Sequence, residues 1–204
     1  MHIGSHSFEL RGRIAADFAM GTPDGFGGNR NPQLHWDDVP DGTRSFALLC
    51  IDTDAPTDPV LVADAATPIA VEHPRGEFVH WVLVDIPADV RTIAEGSVSD
   101  GVTRGGKPAD AGIAGARTGL NDYTGSFAAD PQLRGDWFGY DGPWPPSHDL
   151  RMRRYFFRLF ALDVPTLPLR ARFGAGEVFG AMHGHVLGEA STWGSYSLNP
   201  AASS

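Results

Sequence analysis

Phe46-Ala47-Leu48-Leu49-Cys50-Ile51-Asp52-Thr53-Asp54-Ala55-Pro56 decides the reading of this chain. Six consecutive apolar residues are short for a helix and suit a central strand buried on both faces. The run closes on two carboxylates. A carboxylate at the end of a buried strand is costly unless a partner or a ligand satisfies it. With a period of two, Asp52 shares its face with Phe46, Leu48 and Cys50 and so points inward.

Two further segments extend the pattern. His80-Trp81-Val82-Leu83-Val84-Asp85-Ile86 reads as a strand opened by a histidine, and Arg153-Arg154-Tyr155-Phe156-Phe157 as one opened by an arginine. Regular alternation puts His80 with Val82, Val84 and Ile86, with Trp81 on the opposite face. It puts Arg153 with Tyr155, Phe157 and Leu159. Antiparallel pairing brings the end of one strand beside the start of its neighbour. Asp52, His80 and Arg153 are therefore expected to converge in a polar cup at a sheet edge. Arg153 would offer planar, bidentate hydrogen bonding to phosphate or carboxylate, and His80 a donor on one ring nitrogen. Gly142 and Pro143, in Gly139-Tyr140-Asp141-Gly142-Pro143-Trp144-Pro145-Pro146, would let backbone approach a ligand closely. Tyr155, Tyr140 and Trp81 are candidate walls.

The chain has 204 residues, enough for one sizeable core and few for two, so a single domain over residues 1–204 is expected. Its 25 Gly and 16 Pro favour turns and strands over long helices. A net charge of −9 argues against non-specific nucleic-acid binding, which needs Lys and Arg to displace counterions. It argues equally against docking on anionic lipid by charge alone. No stretch approaches the ~20 apolar residues of a membrane span. Asp17 interrupts Ile14-Ala15-Ala16, so residues 1–21 hold no apolar run of signal-peptide length, no signal peptide is read, and a soluble cytoplasmic protein is expected. The lone Cys50 reads as a buried small hydrophobe.

Helical signal lies near the C-terminus, where Val178, Met182, Val186 and Ala190 recur every four residues across 176–190. Ser195-Tyr196-Ser197-Leu198 reads as a short final strand. Two long irregular stretches, 57–76 and 96–142, are of a length usually reserved for functional loops. Several tempting groups read as ordinary structure. His183 and His185, two apart, do not share a helix face, so no metal is expected. Ser147-His148-Asp149 are too close in sequence for a catalytic relay. Asp54 is read as either a turn cap or a site residue, and Arg154 as solvated surface.

The Asp52-Thr53-Asp54-Ala55-Pro56 box, Asn31-Pro32-Gln33-Leu34-His35-Trp36, His80-Trp81, Gly119-Leu120-Asn121-Asp122-Tyr123-Thr124-Gly125, the Gly142-Pro143 loop with its Arg154-Tyr155 strand, and Gly184-His185-Val186-Leu187 occur in that family's order. Through them the chain resembles the phosphatidylethanolamine-binding proteins, in their bacterial Raf-kinase-inhibitor-like branch. The resemblance implies a mainly β fold, an antiparallel β-sandwich with peripheral helices and a C-terminal helix. It implies a pocket for phosphate-like anions and head groups, built here from Asp52, Pro56, His80, Gly142, Pro143 and Tyr155, with no cofactor. Two positions depart from the family pattern. Thr53 stands where Pro is usual, and Arg153 stands where a second pocket histidine is usual. Arg153 is expected either to favour a more anionic ligand or to pair with Asp52 and close the pocket, with His148 a candidate for the missing imidazole. Binding of a small anionic ligand, with control of a protein partner, leads the functional expectations. Acid–base catalysis by His80 and Asp52 with Arg153 as anchor is the alternative, and inhibition through the long loops a third. Bacterial relatives are often homodimers, so a homodimer is expected.

Overall fold

The computed structural model describes residues 1–203. Ten strands run in chain order: β1 (His2–Gly4), β2 (Gly21–Thr22), β3 (Gly25–Phe26), β4 (Leu34–Asp37), β5 (Ser45–Pro56), β6 (Arg75–Pro87), β7 (Thr92–Ile93), β8 (Arg117–Thr118), β9 (Arg153–Leu162) and β10 (Val186–Tyr196). Three helices, α1 (Pro59–Ala63), α2 (Tyr123–Ser126) and α3 (Ala175–Met182), are short and lie between strands. The fold is mainly β, as the sequence reading expects. A five-stranded sheet has the order β10-β9-β5-β6-β8, a three-stranded sheet β1-β4-β7, and every neighbouring pair is antiparallel.

The apolar run is the centre of the large sheet, held between β6 and β9. Its alternation sorts two cores. Phe46, Leu48 and Cys50 face β9 residues Tyr155, Phe157 and Leu159 together with Leu34, Trp36 and Ile93 of the small sheet. Ala47, Leu49 and Ile51 face the other way, onto Val82, Val84, Phe160 and the α3 residues Val178 and Met182. Each buried aliphatic side chain contributes roughly 1.5–3 kcal/mol, and here the strand is lined on both sides. Cys50 is buried, and that burial pushes its thiol pKa up, as befits a core residue.

Three differences from the sequence reading stand out. The four-residue spacing across 176–190 is helical only to Met182. Gly184 then turns the chain at φ +82, and Val186 and Ala190 belong to β10 instead. The final strand is thus eleven residues long rather than a short piece around 195–198. Both segments carry the same spacing, but β9 supplies a partner strand, with Trp193 stacked on Phe156, and pairing outweighs weak helix propensity in a glycine-rich stretch.

The second difference concerns His80. Cys50 pairs with Trp81 and the next residue, Ile51, with Val79, so His80 is the extra residue of a bulge. The bulge parts His80 from Val82 and Val84 and packs it against Tyr155 of the Phe46–Cys50 side, and a second register shift moves Ile86, expected with those valines, to that side as well. Trp81 lies on the Phe46–Cys50 side and Val82 and Val84 on the other. Third, Asp52 and His80 lie inside their strands rather than at the ends, whereas Arg153 does begin β9. A further irregularity, between Asp52 and Ala55, brackets the site from the other side.

Candidate functional site

Asp52 on β5 lies opposite Tyr155 on β9 and Phe78 on β6, so these three strands bring the site together. One oxygen of its fully buried carboxylate accepts from the Asp54 backbone N–H at 2.8 Å, the other from Arg153 Nη1 at 3.1 Å. Arg153 Nε donates to Asp149 at 3.0 Å. Asp149 also takes both terminal nitrogens of Arg75, at 2.8 and 3.0 Å. The result is a buried chain of alternating charge, Asp52–Arg153–Asp149–Arg75, with Arg153 Nη2 left without a partner among the described residues.

His80 Nδ1 lies 2.8 Å from the Asp141 carbonyl oxygen. A carbonyl can only accept, so Nδ1 carries the hydrogen and Nε2 is a bare acceptor. The Asp141 carboxylate is itself fixed by Asn29, Asn121 and Lys107, which holds the strap that orients the imidazole. The ring is walled by Phe78, Tyr123 and Tyr155 at centroid distances of 5.0, 5.5 and 5.2 Å.

These groups line the inner end of an open cavity of about 660 Å³. Of the residues singled out in the sequence, Pro56, His80, Arg153 and Tyr155 are in its wall, and Asp52 stands behind Arg153. Gly142 and Pro143 are not in the wall. The close approach at Gly142 is to the protein itself, since a Cβ there would fall 2.0 Å from the Phe18 carbonyl oxygen. Pro143 uses its carbonyl to hold the Met20 and Gly21 N–H groups. Tyr140 and Trp81 are core residues in edge contact with one another. His148 points its Nε2 at the Leu61 carbonyl and lines a neighbouring cavity, so it supplies no second imidazole here.

A family model for phosphatidylethanolamine-binding protein matches residues 4–197. The chain belongs to the phosphatidylethanolamine-binding protein family. A UPF0098 protein of Methanothermobacter thermautotrophicus is 35% identical over 196 residues, covering 96% of this chain and 98% of the relative. The UPF0098 protein YbhB of Escherichia coli is 30% identical, with 81% and 80% covered. Among solved structures, Escherichia coli YbcL, described as a new member of the mammalian PEBP family, superposes with a TM-score of 0.71. The two chains are 23% identical over 96% of this one and 97% of the other, a likeness that speaks to the fold alone.

In this member of the family the outer cavity wall is apolar. Phe78, Tyr123, Trp144, Pro146 and, from α1, Pro59, Val62 and Ala63 form it. The sequence reading missed all of these, although Phe78 lies two residues before His80. The 57–76 segment is therefore in part a rim of the cavity. Asp58 starts its helix, accepting from Val60 N at 2.8 Å, with Pro59 in the first turn. Arg75 and Asp149 were also missed, because 74 residues separate them.

The charges are unusual for so buried a place. Burial pushes the Asp52 carboxyl up to about 6, against the pull of Arg153 and the Asp54 N–H. Burial pushes His80 down to about 4, with the Asp141 carbonyl opposing and Arg153 assisting, so the imidazole is neutral at pH 7. Burial would raise Asp149, but Arg75, the Arg151 N–H and Arg153 hold it below the ordinary range. Asp54 belongs to a second cluster. It binds Arg154 through two nitrogens at 2.8 and 2.9 Å and Arg151 at 2.9 Å, so Arg154 is paired rather than merely solvated.

No described helix is long and apolar enough to cross a membrane. His183 and His185 occupy the turn after α3, where His185 Nδ1 lies 2.8 Å from Asp163.

Proposed function

We propose that this protein binds a small ligand bearing an anionic oxygen group, such as a phosphate head group, in the cavity between α1 and the His80–Arg153 wall. One observation carries the reading. Arg153 stands in the cavity wall with Nη2 unpaired, while its other nitrogens are held by Asp52 and Asp149. A buried guanidinium N–H without an acceptor is costly, and an oxyanion is the acceptor it suits best. The Asp52 pairing orients the guanidinium without consuming all its donors, which favours an Arg153 that serves the pocket over one that closes it. The aromatic outer wall suits the organic part of the same ligand, in keeping with the usual make-up of ligand sites. Family membership supports a binding role.

The acid–base alternative draws less support. Asp52 and His80 share no hydrogen bond. Each is held instead by a group that does not relay protons to the other. Control of a protein partner and self-association remain outside what the pocket itself argues for.

Calorimetric titration with phosphate and phosphoethanolamine tests the proposal, on wild type and on Arg153→Lys, which keeps the charge but loses the forked donors. Saturable binding that weakens at least roughly tenfold in the variant, about 1.4 kcal/mol, is the expected result. Undiminished binding in a folded variant would remove Arg153 from the site.

A further inference from the structure

Two donors and one acceptor on residues that line the inner cavity are left over once the internal hydrogen bonds are assigned, the Arg153 Nη2 among them itself buried. Arg153 Nη2 has no partner, and the Tyr155 hydroxyl makes no hydrogen bond among the described residues. His80 Nε2 likewise has none, and its tautomer is set by the Asp141 carbonyl behind it. Arg153 can only donate and His80 Nε2 can only accept. Phe78, Tyr123 and Tyr155 pack the imidazole on three sides.

From this pairing we infer that the cavity selects oxyanions that carry their own proton, the singly protonated phosphate monoester above all. The P–O⁻ oxygens take Arg153 and Tyr155, and the P–OH donates to His80 Nε2. An anion of equal charge and shape with no hydroxyl, such as a sulfate ester, meets the imidazole lone pair with an oxygen lone pair. A buried acceptor facing another acceptor is the costly half of the hydrogen-bond asymmetry, so the site rejects the ligand instead of merely holding it less well. His80 is then the residue that determines specificity, and Arg153 the one that supplies attraction. This inference rests on the oxyanion reading of the cavity given above.

Methyl phosphate and methyl sulfate separate the two roles. Near pH 5, below the second phosphate pKa of about 6, both are singly charged and differ by one hydroxyl hydrogen. Whatever the protonation of Asp52 at that pH, it is the same for both probes. Calorimetric titration of the whole chain should find methyl phosphate bound at least roughly tenfold more tightly. In His80→Phe, which keeps a ring against Phe78, Tyr123 and Tyr155, the ratio should fall to about one, through loss of methyl phosphate affinity and gain of methyl sulfate affinity. The nitrogen NMR spectrum of the free wild-type protein should show His80 Nε2 unprotonated. The wild-type ratio and this spectrum stand even where the variant fails to fold. Vesicles of phosphatidate against phosphatidylglycerol distinguish the source. Preference for phosphatidate there supports a lipid-held monoester, and preference with methyl phosphate alone supports a free one. Equal affinity for methyl phosphate and methyl sulfate, or a protonated Nε2, overturns the inference while leaving the oxyanion site intact. Binding of neither probe nor of either vesicle overturns the oxyanion reading itself.

Discussion

Asp52 and Asp54 stand two residues apart on one strand and head two opposite kinds of ion cluster. Asp52 joins Arg153, Asp149 and Arg75 in a chain whose members are all nearly or fully buried. Asp54 is as buried itself, but its partners Arg151 and Arg154 are 30% and 42% exposed. The inner carboxylate is pushed up toward neutrality by burial, whereas the outer one is held below the ordinary range by Arg154 and Arg151 despite its burial. The difference lies in the cations. Arginines with one side in water satisfy Asp54 at little desolvation cost, while Arg153 must itself be desolvated to reach Asp52. The inner cluster is the one that ends at a cavity with a donor to spare.

The largest effect should come from breaking the inner chain. Arg153→Ala strands Asp52 and one side of Asp149 without a cation, and urea unfolding at pH 7 should record a loss of about 3–5 kcal/mol. A loss below about 1 kcal/mol would mean that water already shares the cluster.

Next come two opposed pH effects. The Asp52 carboxyl, raised from 3.8 to about 6, leaves the folded state holding more protons in that window, so its contribution falls as pH rises through it. His80, lowered from 6.5 to about 4, leaves the folded state holding fewer, so its contribution rises with pH over nearly the same window. Each is on the order of 3 kcal/mol, and in the wild type they largely cancel. Stability should therefore be measured from pH 4 to 6.5 in each variant relative to wild type, whose other titrating groups, among them the raised Asp122 and Asp141, are common to both. It should climb with pH in Asp52→Asn and fall with pH in His80→Phe. A slope of the same sign in both variants would show that the two groups do not titrate as described.

The outer cluster should yield less. Asp54→Ala frees two arginines that can turn to water, so a loss of about 1–2 kcal/mol is expected, chiefly from the orphaned Arg154 backbone N–H. A loss equal to that of Arg153→Ala would erase the contrast between the clusters. At the bottom of the scale, Arg158→Ala removes a half-exposed pair with Glu189, 2.9 Å across the β9–β10 ladder, and thermal melting should detect no more than about 0.5 kcal/mol.

Much of this was legible in the residues. The alternation Phe46, Leu48, Cys50 put Asp52 inward, and Tyr155, Phe157 and Leu159 did the same for Arg153, because regular strands keep a period of two. The same rule placed His80 with Val82 and Val84, and the bulge at His80 undid it. Nothing in His80-Trp81-Val82 announces an extra residue, since bulges depend on how two strands fit rather than on either alone. Asp149 was discounted as part of a Ser-His-Asp sequence that makes no relay. Its spacing from Arg151 and Arg153 was the available clue, and Arg75 gave none.

The sequence by itself determined the central strand, its inward carboxylate, the family and the types of residue at the site, because burial and alternation are local properties of β5 and β9. Only the tertiary structure decided which cation serves which carboxylate, that His80 packs against Tyr155 beside Arg153 in one cavity wall, and that Phe78, Tyr123, Trp144 and α1 enclose the space before them. Those outcomes depend on strand register and on contacts between segments far apart in the chain, and the free energy that selects them exists only once the sheet is assembled.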